Sequence, residues 1–209
     1  METILDASQK HALKRILDRG AETATRSLTQ WIGQPVRVAV SEVDEVSLDD
    51  SAELLGPADD LVAACVLGLA GRLTGVIVLV FEDRSGLALA DLLLNQPVGT
   101  ANAWGELERS AAQETANIVV CAYLGSLAES LKLASGQETA ALVPSPPMFR
   151  HEFAGSLMEF LVMEQAMEMD RMIVIKSQFA TDHGALRWSL VFAPDGPSLQ
   201  SLASSLSNL

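Results

Sequence analysis

The 209-residue chain has little of what metal centres are built from, with only two cysteines and three histidines. Cys65 and Cys121 are isolated within apolar stretches, so there is no CxxC pair, and both thiols are expected to be free and buried. No histidine has a second metal ligand at helical or hairpin spacing. Phosphate-cradling glycine loops and the GxSxG nucleophile elbow are also missing. Any chemistry is therefore expected to proceed without a metal, cofactor or covalent nucleophile of the chain's own.

Positive charge is also scarce, because 14 Lys and Arg against 27 Asp and Glu give a net charge of −13. Nucleic acids and anionic membrane surfaces both need a basic partner, so neither is expected as the main ligand. The longest apolar runs, at 64–70 and 118–124, are far shorter than the roughly 20 residues of a membrane span. The first residues lack the basic segment of a secretory signal. We expect a folded, acidic, cytoplasmic protein without membrane insertion.

Hydrophobic periodicity predicts the same order of elements twice along the chain. The first series comprises a helix at 8–31, a strand at 35–43, a hairpin joining 61–69 to 75–81, and a short helix at 83–94. A linker at 96–102 contains Pro97 and Gly99. The second series comprises a helix at 103–133, a strand-like stretch at 138–143, a helical segment near 155–166, a hairpin joining 172–179 to 186–192, and a helix at 198–206.

This repetition indicates an internal duplication within one domain spanning 1–209. Leu79-Val80-Phe81 recurs as Leu190-Val191-Phe192, each time between a hairpin and a helix. Repeat one is placed at about 8–95 and repeat two at about 103–207. The predicted fold class is α+β, with two pseudo-symmetric helix–strand–hairpin–helix halves. Their sheets are expected to lie side by side as one layer, with both long helices packed on one face.

The first half of the second long helix carries a group of polar residues. At about 100° per residue, Ser110, Glu114 and Asn117 fall within an arc of about 60° and are expected to face solvent. Asn is a mediocre helix former in a helix that otherwise uses Ala repeatedly. The spacing alone is common on solvated helix faces and has little weight. The following run, 118–125, is apolar nearly all round and is expected to be buried.

The wider pattern resembles the CheC/CheX/FliY family of bacterial chemotaxis phosphatases. That family's motif is an Asp or Ser, then Glu, then Asn, with a proline further on, as in Ser110, Glu114, Asn117 and the prolines at 144–147. The resemblance extends over most of the chain, through Gly75–Phe81, Leu87–Leu94, Phe153–Leu157 and the first-half segment from Gly20 to Ser41. It implies a protein that hydrolyses the aspartyl phosphate of a CheY-like response regulator.

The resemblance also implies a role for each motif residue. Asn117 is expected to orient the attacking water, and Glu114 to pair with the Lys of the phosphorylated receiver. Ser110 and Pro144 are candidates for receiver docking, although the stretch before Pro144 is longer than the usual pattern. The receiver brings its own Mg²⁺, so no cofactor of the chain is implied. CheD is a second candidate partner.

The first half departs from the motif. Its equivalent positions hold His11, Arg15 and Asp18, with Ser41 where a proline is expected. Arg15 would repel the receiver's Lys, and Asp18 would repel phosphate. The first half is therefore predicted to be inactive.

Two other interpretations stay open. One is a non-catalytic adaptor of the CheC or flagellar-switch kind, which binds a receiver or CheD without hydrolysis. The other is a generic α+β domain in which the motif is accidental. Asn117 favours the enzyme, because an adaptor has no need of an amide that positions water.

Overall fold

The computed structural model describes residues 3–47, 54–135, 141–165, 171–181 and 184–208. Five helices and seven strands occur in these ranges. In chain order they are α1 (Ala7–Ile32), β1 (Arg37–Ser47), β2 (Leu61–Gly71), β3 (Gly75–Glu82), α2 (Asp83–Leu93), α3 (Glu106–Ser135), β4 (Leu142–Pro144), β5 (Met148–Phe153), α4 (Ala154–Gln165), β6 (Arg171–Thr181), β7 (Gly184–Pro194) and α5 (Gly196–Leu206). The strands form one antiparallel sheet in the order β1-β6-β7-β3-β2, with β4 and β5 both paired to β2. The predicted α+β class is confirmed.

The two long helices pack on one face of the sheet, as predicted. α1 begins with a capping box between Asp6 and Gln9 and ends at Gly33, whose φ of 74° is a conformation that glycine adopts without strain. Gly20 on α1 lies against the backbone of Tyr123 on α3. Alternate residues of β2 point to the opposite face of the sheet, where α4 covers them. Within the described ranges, no helix is both long enough and apolar enough to cross a bilayer.

The two predicted halves do lie side by side in one β-sheet layer, but they exchange their remaining strands. β1, from the first half, pairs with β6, whereas β4 and β5, from the second half, pair with β2. Each half thus covers the edge of the other half's hairpin, which leaves fewer unpaired strand edges than two separate sheets would. An approximate twofold axis, and the division into repeats at 8–95 and 103–207, stay predictions.

The outer edge of β1 is closed by α1. The Thr25 hydroxyl accepts a hydrogen bond from the Val38 amide at 2.9 Å, and the Thr29 hydroxyl contacts the Val36 amide at 3.4 Å. Thr25 and Thr29, one helical turn apart on α1, therefore contact the amides of Val38 and Val36, which are two residues apart along the chain. α1 thereby occupies backbone groups where this edge of the sheet begins.

β5 is a strand that the periodicity did not predict. His151 and Glu152 lie in β5, which pairs along β2. Between β4 and β5, the Ser145 amide donates to the Gly68 carbonyl, and the Ser145 hydroxyl accepts from the Gly68 amide. These two hydrogen bonds keep the segment paired to β2 next to the prolines, which have no amide hydrogen to donate.

The linker at 96–102 is fixed by a buried carboxylate. Asp91 on α2 accepts backbone hydrogen bonds from Gly99, Thr100 and Ala101 at 2.8, 3.0 and 2.9 Å. A buried carboxylate with three donors is well satisfied. The linker therefore sets the path by which the chain enters α3.

Candidate functional site

The candidate site is the solvent-facing side of α3. This 30-residue helix is about 45 Å long. Ser110 and Glu114 are exposed and Asn117 is half-buried, whereas neighbouring positions such as Ala116 and Val120 are fully buried. The helix therefore presents Ser110, Glu114 and Asn117 on one open face, as their spacing predicts, and buries its other side against the core.

Glu114 has no cationic partner in the part of the chain that the structure describes. Its charge acts on a neighbour, because burial and then the Glu114 carboxylate raise the pKa of the Cys121 thiol. The thiol is consequently neutral at ordinary pH. Glu114 thus offers a free negative charge to an incoming group.

Cys121 is exposed, so the expectation that it is buried is wrong. At about 100° per residue it falls on the same arc as Ser110, one turn beyond Asn117. Its thiol donates to the Asn117 Oδ1 atom at 3.6 Å. Gly125 is exposed as well, so the run 118–125 is not buried all round. The face that carries the polar residues continues past Asn117.

The N-terminal end of α3 is anchored to α2 and β5. The Trp104 indole, just before the helix, donates to the Asp83 carboxylate at 2.7 Å and packs at a tilt of 47° against the Phe149 ring. Arg109 donates to the Trp104 carbonyl at 2.9 Å. The Gln113 amide donates to the Pro147 carbonyl at 2.7 Å. These contacts hold the polar face of α3 in place before any partner arrives.

Sequence reasoning missed these anchoring residues. Trp104 is one of three tryptophans, and its position directly before a long helix was the available signal. The proline segment does lie beside α3, but the contact is made by Pro147. Pro144 is half-buried in β4, opposite Leu69 of β2. The docking roles of Ser110 and Pro144 stay predictions.

The equivalent positions of the first half differ in electrostatics. His11 and Arg15 are exposed on α1, and Asp18 is half-buried. Asp18 forms an ion pair with Lys14 at 3.0 Å, one turn earlier on the helix. It lines a separate cleft of about 770 Å³ between α1 and β1. Unlike Glu114, this carboxylate already has a cation beside it.

The functional groups of the site are the carboxylate of Glu114 and the carboxamide of Asn117, both on α3. Among the described residues, no three His, Cys, Asp or Glu side chains come together as a metal site. A carboxylate can pair with a cation, and a carboxamide can both donate and accept hydrogen bonds. The face can therefore orient and position a partner's groups without forming a bond to them.

The chain has relatives among characterised chemotaxis proteins, although no protein-family model matches it. It is 25% identical over 198 residues to the CheY-P phosphatase CheC of Bacillus subtilis, which covers 93% of this chain and 91% of that protein. A protein of Halobacterium salinarum named CheC1 is 21% identical over 131 residues. That match spans 63% of this chain and 66% of the relative, just under two thirds of its length.

Solved structures share the fold. FliY of Thermotoga maritima superposes with a TM-score of 0.77 at 17% identity, covering 98% of both chains. The middle domain of FliM from Vibrio alginolyticus gives 0.64 at 16% identity, covering 93% of this chain and 99% of that one. CheX of Borrelia burgdorferi, solved as a CheX–CheY–BeF₃–Mg²⁺ complex, gives 0.50 at 14% identity and covers 86% and 97%. At these identities the likeness is one of fold.

Proposed function

We propose that this chain, as a CheC/CheX/FliY-like protein, hydrolyses the aspartyl phosphate of a CheY-like receiver in the cytoplasm. The observation that carries the proposal is the open face of α3. On this face the carboxylate of Glu114 lies one helical turn from the carboxamide of Asn117. Glu114 has no cation partner among the described residues. Relatives named CheC, and a CheX solved in complex with CheY, support the choice of partner.

Asn117 is the residue proposed to act on the water. The aspartyl phosphate of a receiver already has Mg²⁺ and a Lys, so its hydrolysis lacks only a water aimed in line at phosphorus. The amide of Asn117 would hold that water by a hydrogen bond when α3 docks. A neutral group suits this role, because a carboxylate would meet the phosphate with like charge. No metal or nucleophile of this chain takes part.

Glu114 is proposed to pair with the receiver's Lys. Glu114 has no cation partner in the described structure, so no internal ion pair has to break when the complex forms. A charge-assisted hydrogen bond gains strength once water is excluded. One turn of helix then fixes the position of Asn117 relative to this contact. Ser110 and Pro144 are proposed to lie in the same docking surface, and CheD stays a possible second partner for experiment.

The alternative is a non-catalytic adaptor that binds a receiver or CheD. The fold is shared with the FliM middle domain as well as with CheX, so the fold alone does not choose between them. The two functions differ in their need for Asn117. An adaptor would bind the receiver equally well without this amide, and the receiver's phosphate would then decay at its own rate.

The test is the decay of phosphorylated CheY receivers from the same genome, measured with and without the protein. The wild type is expected to accelerate decay. Glu114→Ala is expected to reduce both binding and the rate of dephosphorylation. It removes the docking ion pair, and with it the contact that fixes the position of Asn117 on the receiver. Receivers that decay at their own rate in the presence of tightly bound wild-type protein would overturn the phosphatase and favour the adaptor.

A further inference from the structure

The polar motif occupies too small a surface to hold a receiver. From Ser110 to Asn117 the helix rises about 10 Å, and a helix is about 10 Å wide, so this face covers roughly 100 Å². Even weak, transient protein complexes bury up to about 600 Å² on each partner. Other residues beside the motif must therefore contact the receiver if the proposed function holds.

Leu107 is one exposed residue that extends this face. It is 66% exposed, the most exposed large apolar side chain among the described residues. A single exposed leucine needs no explanation by itself. Leu107, however, precedes Ser110 by three residues and lies within about 60° of it around the helix. It therefore extends the polar face by one turn toward the N-terminus of α3.

Gly125 extends the face in the other direction, and it is an independent observation. Glycine in a helix interior lowers stability relative to alanine, and one use that offsets this cost is a close approach to the backbone. Gly20 on α1 has such a contact, because a Cβ there would lie 2.9 Å from the Cα of Tyr123. A Cβ at Gly125 would meet nothing within 4 Å. Packing within the described chain does not account for this glycine.

We infer that the receiver docks along the whole α3 stripe, which we define as Leu107, Ser110, Glu114, Asn117, Cys121 and Gly125. Leu107 is the apolar anchor at one end, and Gly125 lets the receiver approach the helix backbone at the other. The stripe is about 27 Å long and covers roughly 270 Å², nearly half of the upper limit of about 600 Å² per partner for transient complexes. The inference rests on the proposed function, because the receiver is chosen by continuity with Glu114 and Asn117.

The experiment measures binding of the full-length protein to a CheY receiver of the same organism, activated with beryllofluoride and Mg²⁺, by isothermal titration calorimetry. Leu107→Ala is expected to weaken binding at least 10-fold, because it removes the largest exposed apolar side chain of the stripe. Its matched control is Ile4→Ala, which truncates an exposed apolar side chain before α1, beside Glu45 of β1, and should bind like the wild type.

At Gly125, binding and stability are expected to change in opposite directions. Gly125→Ala should raise the midpoint of thermal unfolding by about 2–4 °C and still weaken binding several-fold. Gly125→Gln should weaken binding at least 10-fold because its side chain holds the receiver away. The control is Ser156→Gln, which lengthens an exposed side chain on α4, on the opposite face of the sheet, and should bind normally.

The outcomes separate this inference from the proposed function. Wild-type affinity in either Leu107→Ala or Gly125→Gln, together with weak binding by Glu114→Ala, would overturn the stripe and leave the phosphatase standing. A wild-type protein that neither binds the receiver nor accelerates its decay would overturn both. Loss of self-association in Leu107→Ala or Gly125→Gln, seen by analytical ultracentrifugation with receiver binding intact, would overturn the stripe in favour of a second copy of the chain.

Discussion

Gly20→Ala is expected to destabilise the protein although alanine is the better helix former. An added Cβ at Gly20 would lie 2.7 Å from the Cδ1 atom of Tyr123, 2.9 Å from its Cα and 3.0 Å from the carbonyl oxygen of Ala122. Two of these three atoms are backbone, so a change of rotamer cannot relieve the contact. Carbon atoms normally stay about 3.5–4.0 Å apart, so α1 and α3 must separate by roughly 0.6–1 Å.

The magnitude follows from two opposing effects. Overpacking of a core costs about 1–3 kcal/mol, and the backbone contact places Gly20→Ala at the upper end of that range. Helix propensity returns about 1 kcal/mol. The separation also strains the buried hydrogen bond between the hydroxyls of Tyr123 and Ser177, which are 3.1 Å apart. We expect the free energy of unfolding to fall by about 2 kcal/mol.

The assay is equilibrium urea unfolding followed by circular dichroism, with Gly125→Ala as the matched control. The same substitution at Gly125 meets no atom within 4 Å and should gain up to about 1 kcal/mol. The two variants should therefore differ by about 3 kcal/mol at unchanged urea dependence. If Gly20→Ala were as stable as Gly125→Ala, the close packing of α1 on α3 described above would be refuted.

Three further predictions concern pH, thiols and the first half. Burial acts to raise the pKa of Asp195, but hydrogen bonds from the Thr74 hydroxyl and from Ser198 at the start of α5 lower it overall. The stabilisation that Asp195 gives is therefore present above about pH 3.9 and is lost as the pH falls through its folded pKa. Asp195→Asn should flatten the acid limb of a plot of unfolding midpoint against pH. Ellman's reagent should reach Cys121 in the folded protein but Cys65, whose pKa burial raises to about 12, only after unfolding; two reactive thiols in the native state would contradict this. Asp18→Ala should change receiver dephosphorylation by less than about twofold, and a larger loss would show that the first half is active.

The elements with strong local patterns were predictable from the sequence. α1 and α3 are long and periodic, and both hairpins are apolar runs separated by turn residues. β5 was missed because prolines precede it and its side chains, from Met148 to Phe153, are only half-buried or exposed. An edge strand of this kind lacks the alternation of apolar and polar residues that indicates a strand. The exchange of β1 and β5 between halves was missed because pairing between distant segments leaves no local signal.

The site shows the same division between local and tertiary information. Helical spacing placed Ser110, Glu114 and Asn117 on one face without any knowledge of the fold. It failed for Cys121, because an apolar run was taken to be buried on all sides. The burial of a helix depends on what packs against it, and in the described structure this side of α3 stays exposed at Cys121 and Gly125. The bond between Trp104 and Asp83 joins two elements and was likewise beyond local reasoning.

The central claim is that Asn117 positions the attacking water, and one comparison tests it most directly. Wild type and Asn117→Ala are each added at saturating concentration to a phosphorylated CheY receiver, with affinity for the beryllofluoride form measured separately. We expect Asn117→Ala to lose most of the acceleration while keeping its affinity within about twofold, because a positioned water matters mainly at the transition state. Asn117→Asp should fail as well. Equal acceleration by wild type and Asn117→Ala would contradict the account.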